Sequence, residues 1–286
     1  MTERLVDVTQ RIRTVHQLSA VISAMRGIAA ARAREARAQL DGIRAYARTI
    51  AGGIGHALAF LPQPLPPEPP HAPHPAHAGH VVIALCAEQG FAGAFSAHVL
   101  EAAERVRLRA PERPFTLFII GDRGLLVAEE KSIPYAWSAA MISHPDQAPE
   151  LASRIVDALY ARLDGGPQVS LLHAVPGDGA AQVTEKRLVP FDFARFPLAR
   201  HAVPPLTTLP PDVLLARLVE EYVFTELAEA IMLSFAAENE ARMRAMIAAH
   251  ANVDKTLDSL VARSRQLRQE EITNEIVELA AAASRP

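Results

Sequence analysis

The stretch LVDVTQRIRTVHQLSAVISAMRGI, Leu5 to Ile28, carries apolar residues at Leu5, Val8, Ile12, Val15, Leu18, Ile22, Met25 and Ile28. Steps of three and four put them on one helical face as a heptad-like seam. The seam continues more weakly through alanine-rich sequence to Leu40, Ile43 and Ala47. No proline occurs before Pro62, so nothing in this segment breaks a helix. A helix from Thr2 to Leu58 would be about 85 Å long at ~1.5 Å per residue. Thr2-Glu3 and the Gly52-Gly53-Ile54-Gly55 run leave its two ends undefined.

The other end of the chain repeats the pattern. No proline lies between Pro211 and Pro286, and the last glycine is Gly179. Asp212, after Pro210-Pro211, is the expected N-cap. Leu214, Leu218, Tyr222, Ile231 and Phe235 begin a seam, and Met243, Met246, Val253, Leu257, Leu260 and Leu267 continue it. Leu267 to Ile272 is a step of five, which breaks the repeat before it restarts as Ile272, Ile276 and Leu279. Arg268-Gln269-Glu270-Glu271 fills the break. An apolar row this close to the last residue, where termini are usually polar, calls for a partner outside the chain.

Charge suggests how the two helices pair. Residues 1–61 hold nine arginines against four acids, so +5; residues 212–286 hold eight basic groups against thirteen acids, so −5. Opposite charge selects partners more than it stabilises them. Both segments enter the same middle region, so an antiparallel coiled coil is expected.

That middle alternates. His80–Leu85, Phe115–Ile120 and Gln168–Ala174 are short apolar, β-prone runs; Ala92–Arg109, Asp122–Glu130 and Asp146–Leu163 have helical character. Lys186–Phe191 is a further candidate strand. The alternation argues for a Rossmann-like α/β domain with a largely parallel sheet. The expected division is 1–61 coiled-coil helix, 62–79 Pro/His-rich linker, 80–196 α/β domain, 197–211 linker and 212–286 coiled-coil helix.

Composition narrows the function classes. The 286 residues carry a net charge of −3, which argues against a general polyanion binder. The acids among the N-terminal arginines and the scarcity of aromatics argue against nucleic acid. One cysteine, Cys86, permits no internal disulfide, and it reads as a buried thiol rather than a nucleophile. The N-terminal residues lack the apolar core of a signal peptide, and the Gly52–Leu61 apolar stretch is too short to span a bilayer. A soluble chain, at most peripherally attached, is expected.

Two stretches could carry chemistry. Glu88-Gln89-Gly90-Phe91-Ala92-Gly93-Ala94 is a glycine-containing strand-to-helix turn that could cradle phosphate, or one that needs small residues for packing. It has neither G-x-G-x-x-G nor a following Lys-Ser/Thr, and Glu88 would repel an anion. His71, His74, His77 and His80 recur every three residues and would line one edge of a polyproline II segment, as a weak metal site or as incidental linker residues. No catalytic constellation stands out.

Four stretches resemble the gamma subunit of F-type ATP synthases. Ile22-Ser23-Ala24-Met25-Arg26-Gly27-Ile28-Ala29-Ala30-Ala31-Arg32 is similar to the family's I-T-x-A-M-K/E-M-V-A-A-x-K. Glu88 to Ser96 sits, after a strand, where the family has D-R/K-G-L-C-G-G-F/Y-N. Glu238-Asn239-Glu240-Ala241-Arg242-Met243-Arg244-Ala245-Met246 resembles E-x-x-A-R-M-x-A-M, and Arg268 to Ile276 resembles A-R-Q-x-x-I-T-x-E-I/L. The order helix, α/β domain, helix covers the whole chain. The departures in the second motif, which keeps Gly90 and Gly93 but loses the Asp, Arg, Cys, one Gly and Asn, mark a divergent member.

The resemblance implies a non-catalytic rotor without cofactor, in one copy per complex, on the cytoplasmic face of the bacterial inner membrane. The terminal helices would enter an α3β3 catalytic ring. The α/β domain would lie near the epsilon subunit and the membrane c-ring, whose ion flow turns the assembly. By motif match, Arg268, Gln269 and Thr273 would touch a β-subunit loop, and Met25 and Arg26 the moving region of β. Arg242 would be a mid-shaft contact or an intramolecular tie. Ile272, Ile276 and Leu279 would sit in the apolar sleeve of the ring. A coiled-coil scaffold without an ATPase partner, and an α/β nucleotide-binding enzyme with helical arms, are the competing readings.

Overall fold

The structure is a computed structural model that describes residues 4–61, 79–162, 167–177, 181–199 and 206–283, with side chains to Ala280. The sequence expectations at Thr2-Glu3 and at His71, His74 and His77 lie outside these residues.

Helix α1 runs Leu5–Phe60 and helix α5 runs Pro211–Ala283. Between them come β1 (His80–Leu85), α2 (Phe95–Arg109), β2 (Phe115–Ile120), α3 (Asp122–Glu130), β3 (Trp137–Ala139), α4 (Ala148–Tyr160), β4 (Gln168–Val175) and β5 (Gln182–Val189). The chain forms two compact units: residues 1–29 with 242–286, and residues 30–241.

In the larger unit the sheet order is β3-β2-β1-β4-β5. The first four strands are parallel, and β5 pairs antiparallel with β4 at the edge. Alternation along the strands sends side chains to two faces. Val81, Ile83, Leu85, Phe118, Val169 and Leu171 face a core with α4, with Ala36 and Leu40 of α1, and with Leu227, Ile231 and Phe235 of α5. Val82, Ala84, Ile119, Leu172 and Ala174 face α2 and α3. Both faces are covered, so the inner strands read as continuous apolar runs rather than alternating ones.

The helix pairing is antiparallel within each unit. In the larger unit Arg37 pairs with Glu240, the Arg44 Nε lies 2.8 Å from the Glu229 carboxylate, and the Tyr46 hydroxyl donates to Glu221 at 2.8 Å. As the α1 number rises, the α5 number falls. The basic partners come from α1 and the acids from α5, as the charge asymmetry leads one to expect. In the smaller unit Val15, Ile22 and Met25 cluster with Met246, Ala249 and Val253, and the Ser19 hydroxyl lies 3.5 Å from His250 Nε2.

Three local expectations need correction, and one undefined boundary is located. Leu18 and Ile28 are about half exposed rather than in the seam, because burial along α1 passes through Ala29, Ala33, Ala36 and Leu40. Alanines hold the register where helices approach closely, and Ile28 falls one position off it. The end of α1 that the glycine run left undefined falls beyond that run, at Phe60. A Cβ on Gly55 would lie 2.4 Å from the Pro197 carbonyl oxygen, so its lack of a side chain lets residues 197–199 cross the helix. Asp212 lies inside the first turn of α5 rather than capping it. Pro211 takes the first helical position, where a missing N–H leaves nothing unsatisfied. The fourth strand candidate, Lys186–Phe191, is Gln182–Val189.

Candidate functional site

The turn after β1 sits at the carboxyl ends of the parallel strands, between β2 on one side and β4 on the other. In this topology that switch point is where ligands bind. Here the first three of its backbone donors are already engaged. The backbone N–H groups of Glu88 and Gln89 each donate to the Glu238 carboxylate of α5 at 3.3 Å. One oxygen of Glu88 accepts from the Met141 N–H at 2.7 Å and from the Asp122 N–H, at the start of α3, at 3.3 Å. The Ser96 hydroxyl accepts from the Ala87 N–H at 3.1 Å. A helix N-terminus that could hold phosphate therefore holds the protein's own carboxylate. Of the two readings of this turn, the geometry selects the structural one.

Beneath the turn, Cys86 is buried. Burial, and then the charge of Glu238, push its thiol up to about 12. A Cβ on Gly124 would lie 2.7 Å from its sulfur. A thiol with so little thiolate is a packing group.

His80 lies in β1 and is 7 % exposed. Its Nε2 is 2.9 Å from the Ser170 hydroxyl, which donates to Glu185 at 3.3 Å. Of the four histidines of the weak metal expectation, His80 alone lies within the described residues, with Glu185 and three arginines, Arg113, Arg187 and Arg109, acting on its ring. Among the described residues no group of three His, Cys, Asp or Glu side chains could hold a metal ion. The Ser170–His80 pair is not a catalytic arrangement either, because the carboxylate joins the serine rather than orienting the imidazole.

His173 of β4 is buried against α5 with its Nδ1 unbonded. Burial is the first cause that lowers both His80 and His173 from the ordinary 6.5. For a base with a lowered native value, the unfolded chain takes up the proton first, so stability is lost as pH falls below about 6.5. The urea midpoint is expected to be lower at pH 5.5 than at pH 7.5, and His173→Gln should narrow that gap. An unchanged gap would show that burial of His173 does not couple folding to protons.

Near His173, a buried carboxylate ties the edge strand to α5. Glu226 pairs with Lys186 of β5 and lies 3.5 Å from the Arg195 guanidinium. Burial lowers the Lys186 ammonium from its usual value, with Glu229 opposing the shift. These opposed charges are structural, because each is engaged by another.

The residues proposed to meet partners lie on the helices. Met25 is half-buried in the cluster with Met246 and Val253, and Arg26 is exposed. Arg242 is 5 % exposed. Arg268, Gln269 and Thr273 are exposed, and the Thr273 hydroxyl donates back to the Gln269 carbonyl at 2.8 Å. Leu267 is the last buried residue of α5; Ile272, Ile276 and Leu279 are 49, 60 and 71 % exposed. Sequence reading placed Leu18 and Ile28 in the seam and passed over Val21; all three are exposed and flank Met25 at steps of seven, four and three. No helix among the described residues is long and apolar enough to cross a membrane.

Comparison with known proteins agrees across the chain. A family model described as ATP synthase matches residues 4–284. The ATP synthase gamma chain of Moorella thermoacetica is 30 % identical over 282 residues, covering 97 % of both chains. That of Saccharopolyspora erythraea is 29 % identical, covering 96 % of this chain and 95 % of the relative. A chain of the Euglena gracilis mitochondrial ATP synthase, from its OSCP/F1/c-ring structure, superposes with a TM-score of 0.67 over 98 % of this chain and 93 % of its own, at 10 % identity. A chain from the central stalk and c-ring of the Tetrahymena thermophila enzyme gives 0.55 over 80 % of this chain and 99 % of its own, at 17 % identity. At such identities these two likenesses speak for the fold alone.

Proposed function

The chain belongs to the ATP synthase gamma-chain family, and from that premise we propose that it is the rotor through which ion flow in the c-ring drives the catalytic β subunits. It is a central-stalk subunit. It does no chemistry itself, and it works in one copy per complex. The α3β3 ring engages the terminal helices; the epsilon subunit and the c-ring engage the α/β domain. The complex places it peripherally on the cytoplasmic face of a bacterial inner membrane.

The observation that carries this reading is a single family match running through both terminal helices and the sheet between them. The turn after β1 supports the non-catalytic part, since the carboxylates of Glu238 and Glu88 hold its first N–H groups and the start of α3 and would repel a nucleotide phosphate there. Exposure of Arg26, Arg268, Gln269, Thr273, Ile272, Ile276 and Leu279 supports partner contacts there, and half-buried Met25 borders the exposed Leu18, Val21 and Ile28. Burial of Arg242 favours the intramolecular tie over a partner contact.

Reconstitution tests this. Mixed with the α and β subunits of its own complex, the chain should assemble in one copy per α3β3 and restore ATP hydrolysis coupled to rotation. A chain that stays monomeric and never binds the ring would overturn the rotor reading. Tight nucleotide binding by the isolated chain would overturn the non-catalytic part.

A further inference from the structure

The amino-terminal ends of the parallel strands carry a concentration of guanidinium groups to which none of the roles above is assigned. His80 opens β1, its N–H donating to the Pro114 carbonyl at 2.8 Å. Arg113 comes just before β2, whose Phe115 is in register with His80. Arg187 of β5 is in register with Ser170, the residue bonded to the His80 ring. Arg109 closes α2 and reaches Glu185 at 2.6 Å. Four separate elements thus bring three cations to one buried imidazole.

The partners of these cations are few. Arg109 has Glu185, which also accepts from Ser170. Arg113 Nη1 donates to the Gln168 side-chain oxygen at 3.3 Å, a neutral partner. The Arg187 side chain is exposed and makes no hydrogen bond or ion pair among the described residues. Glu185 is the one carboxylate that acts on the His80 ring, against three arginines. Three like charges sharing one carboxylate among the described residues repel, and burial lowers the imidazole beneath them from its ordinary value, with Glu185 opposing.

We propose that His80, Arg109, Arg113 and Arg187 form a binding site for a phosphate-class anion at the amino-terminal edge of the sheet. Guanidinium forks match the oxygen spacing of phosphate and can bind it in bidentate fashion. A dianion would neutralise the two cations that have no carboxylate partner among the described residues. It would also let His80 protonate and become a further donor to the same ligand. The ligand is free phosphate or the phosphate of an anionic lipid headgroup; both present the same oxygens. The inference does not depend on the rotor reading, because these residues lie at the opposite end of the strands from the turn after β1.

The full-length chain with ring-labelled histidine tests it by NMR. Titration with sodium phosphate, against sodium chloride of equal ionic strength, should raise the midpoint of the His80 ring. The Arg113→Gln/Arg187→Gln double variant should bind phosphate about a hundredfold more weakly, as loss of two charged contacts of about 1.4 kcal/mol each requires. Sedimentation with phosphatidylglycerol vesicles, against phosphatidylcholine vesicles, separates the sources: arginine-dependent binding to the former assigns the headgroup. If neither phosphate nor vesicles act through these arginines, the proposal is overturned. It also fails if an acidic peptide such as polyglutamate moves the His80 ring and phosphate does not, since the occupant would then be protein.

Discussion

Deletion of Ile272–Pro286 is expected to leave folding intact while uncoupling the complex. Every described side chain from Arg268 to Ala280 is exposed, and the last buried residue of α5 is Leu267. The deletion therefore removes no core, and the melting temperature should stay within about 2 °C of the full chain. The same deletion removes the apolar row Ile272, Ile276, Leu279 together with Thr273. If that row sits in the ring, ATP-driven ion pumping in the reconstituted complex should fall by about tenfold, a coupling loss of ordinary size. Undiminished pumping would remove the tip from the mechanism. A large drop in melting temperature would show instead that the exposed row stabilises the chain itself.

Gly121→Val should be the most damaging single substitution in the α/β domain. Gly121 holds φ +105°, a region that L side chains rarely adopt. A Cβ there would lie 2.6 Å from the Ala87 carbonyl oxygen and 2.7 Å from that of Cys86. Both are backbone atoms, so no rotamer change relieves the clash. The residue also precedes α3, whose first N–H reaches Glu88, so displacement would unseat the turn after β1. Backbone strain and steric overlap together should cost at least about 3 kcal/mol in urea unfolding. Gly90→Ala is the control. A Cβ at Gly90 meets nothing within 4 Å, and stability should change by no more than about 0.5 kcal/mol. Equal stability of the two variants would refute the argument.

This contrast shows where sequence reading stops. Gly90 and Gly93 stand out in the sequence because they sit in a recognisable turn. Gly121 and Gly124, which the packing cannot spare, carry no such mark, because the atoms they must clear come from residues 86, 87 and 119. Strand β3 escaped notice because three residues, Trp137–Ala139, are too short for a periodic signal. The bounds of β5 shifted because an edge strand faces water with Thr184, Glu185 and Arg187 and has no continuous apolar run. Helix α2 starts at Phe95 rather than Ala92 because Phe91 and Gly93 both take left-handed backbone conformations.

The sequence by itself determined the two long helices, their antiparallel pairing, the α/β alternation between them and the family. Those rest on local quantities: absence of proline, apolar steps of three and four, the sign of charge in each segment, and contiguous motifs. Helix α3, Asp122–Glu130, is legible for the same reason. Only the tertiary structure decided which donors the carboxylates fill, which glycines are indispensable and what surrounds His80. Glu238 meets the turn at Glu88 across 150 residues of chain, and His80 meets Ser170 across 90. No local pattern encodes such distances. They follow from packing two helices and a sheet so that each buried N–H finds an acceptor.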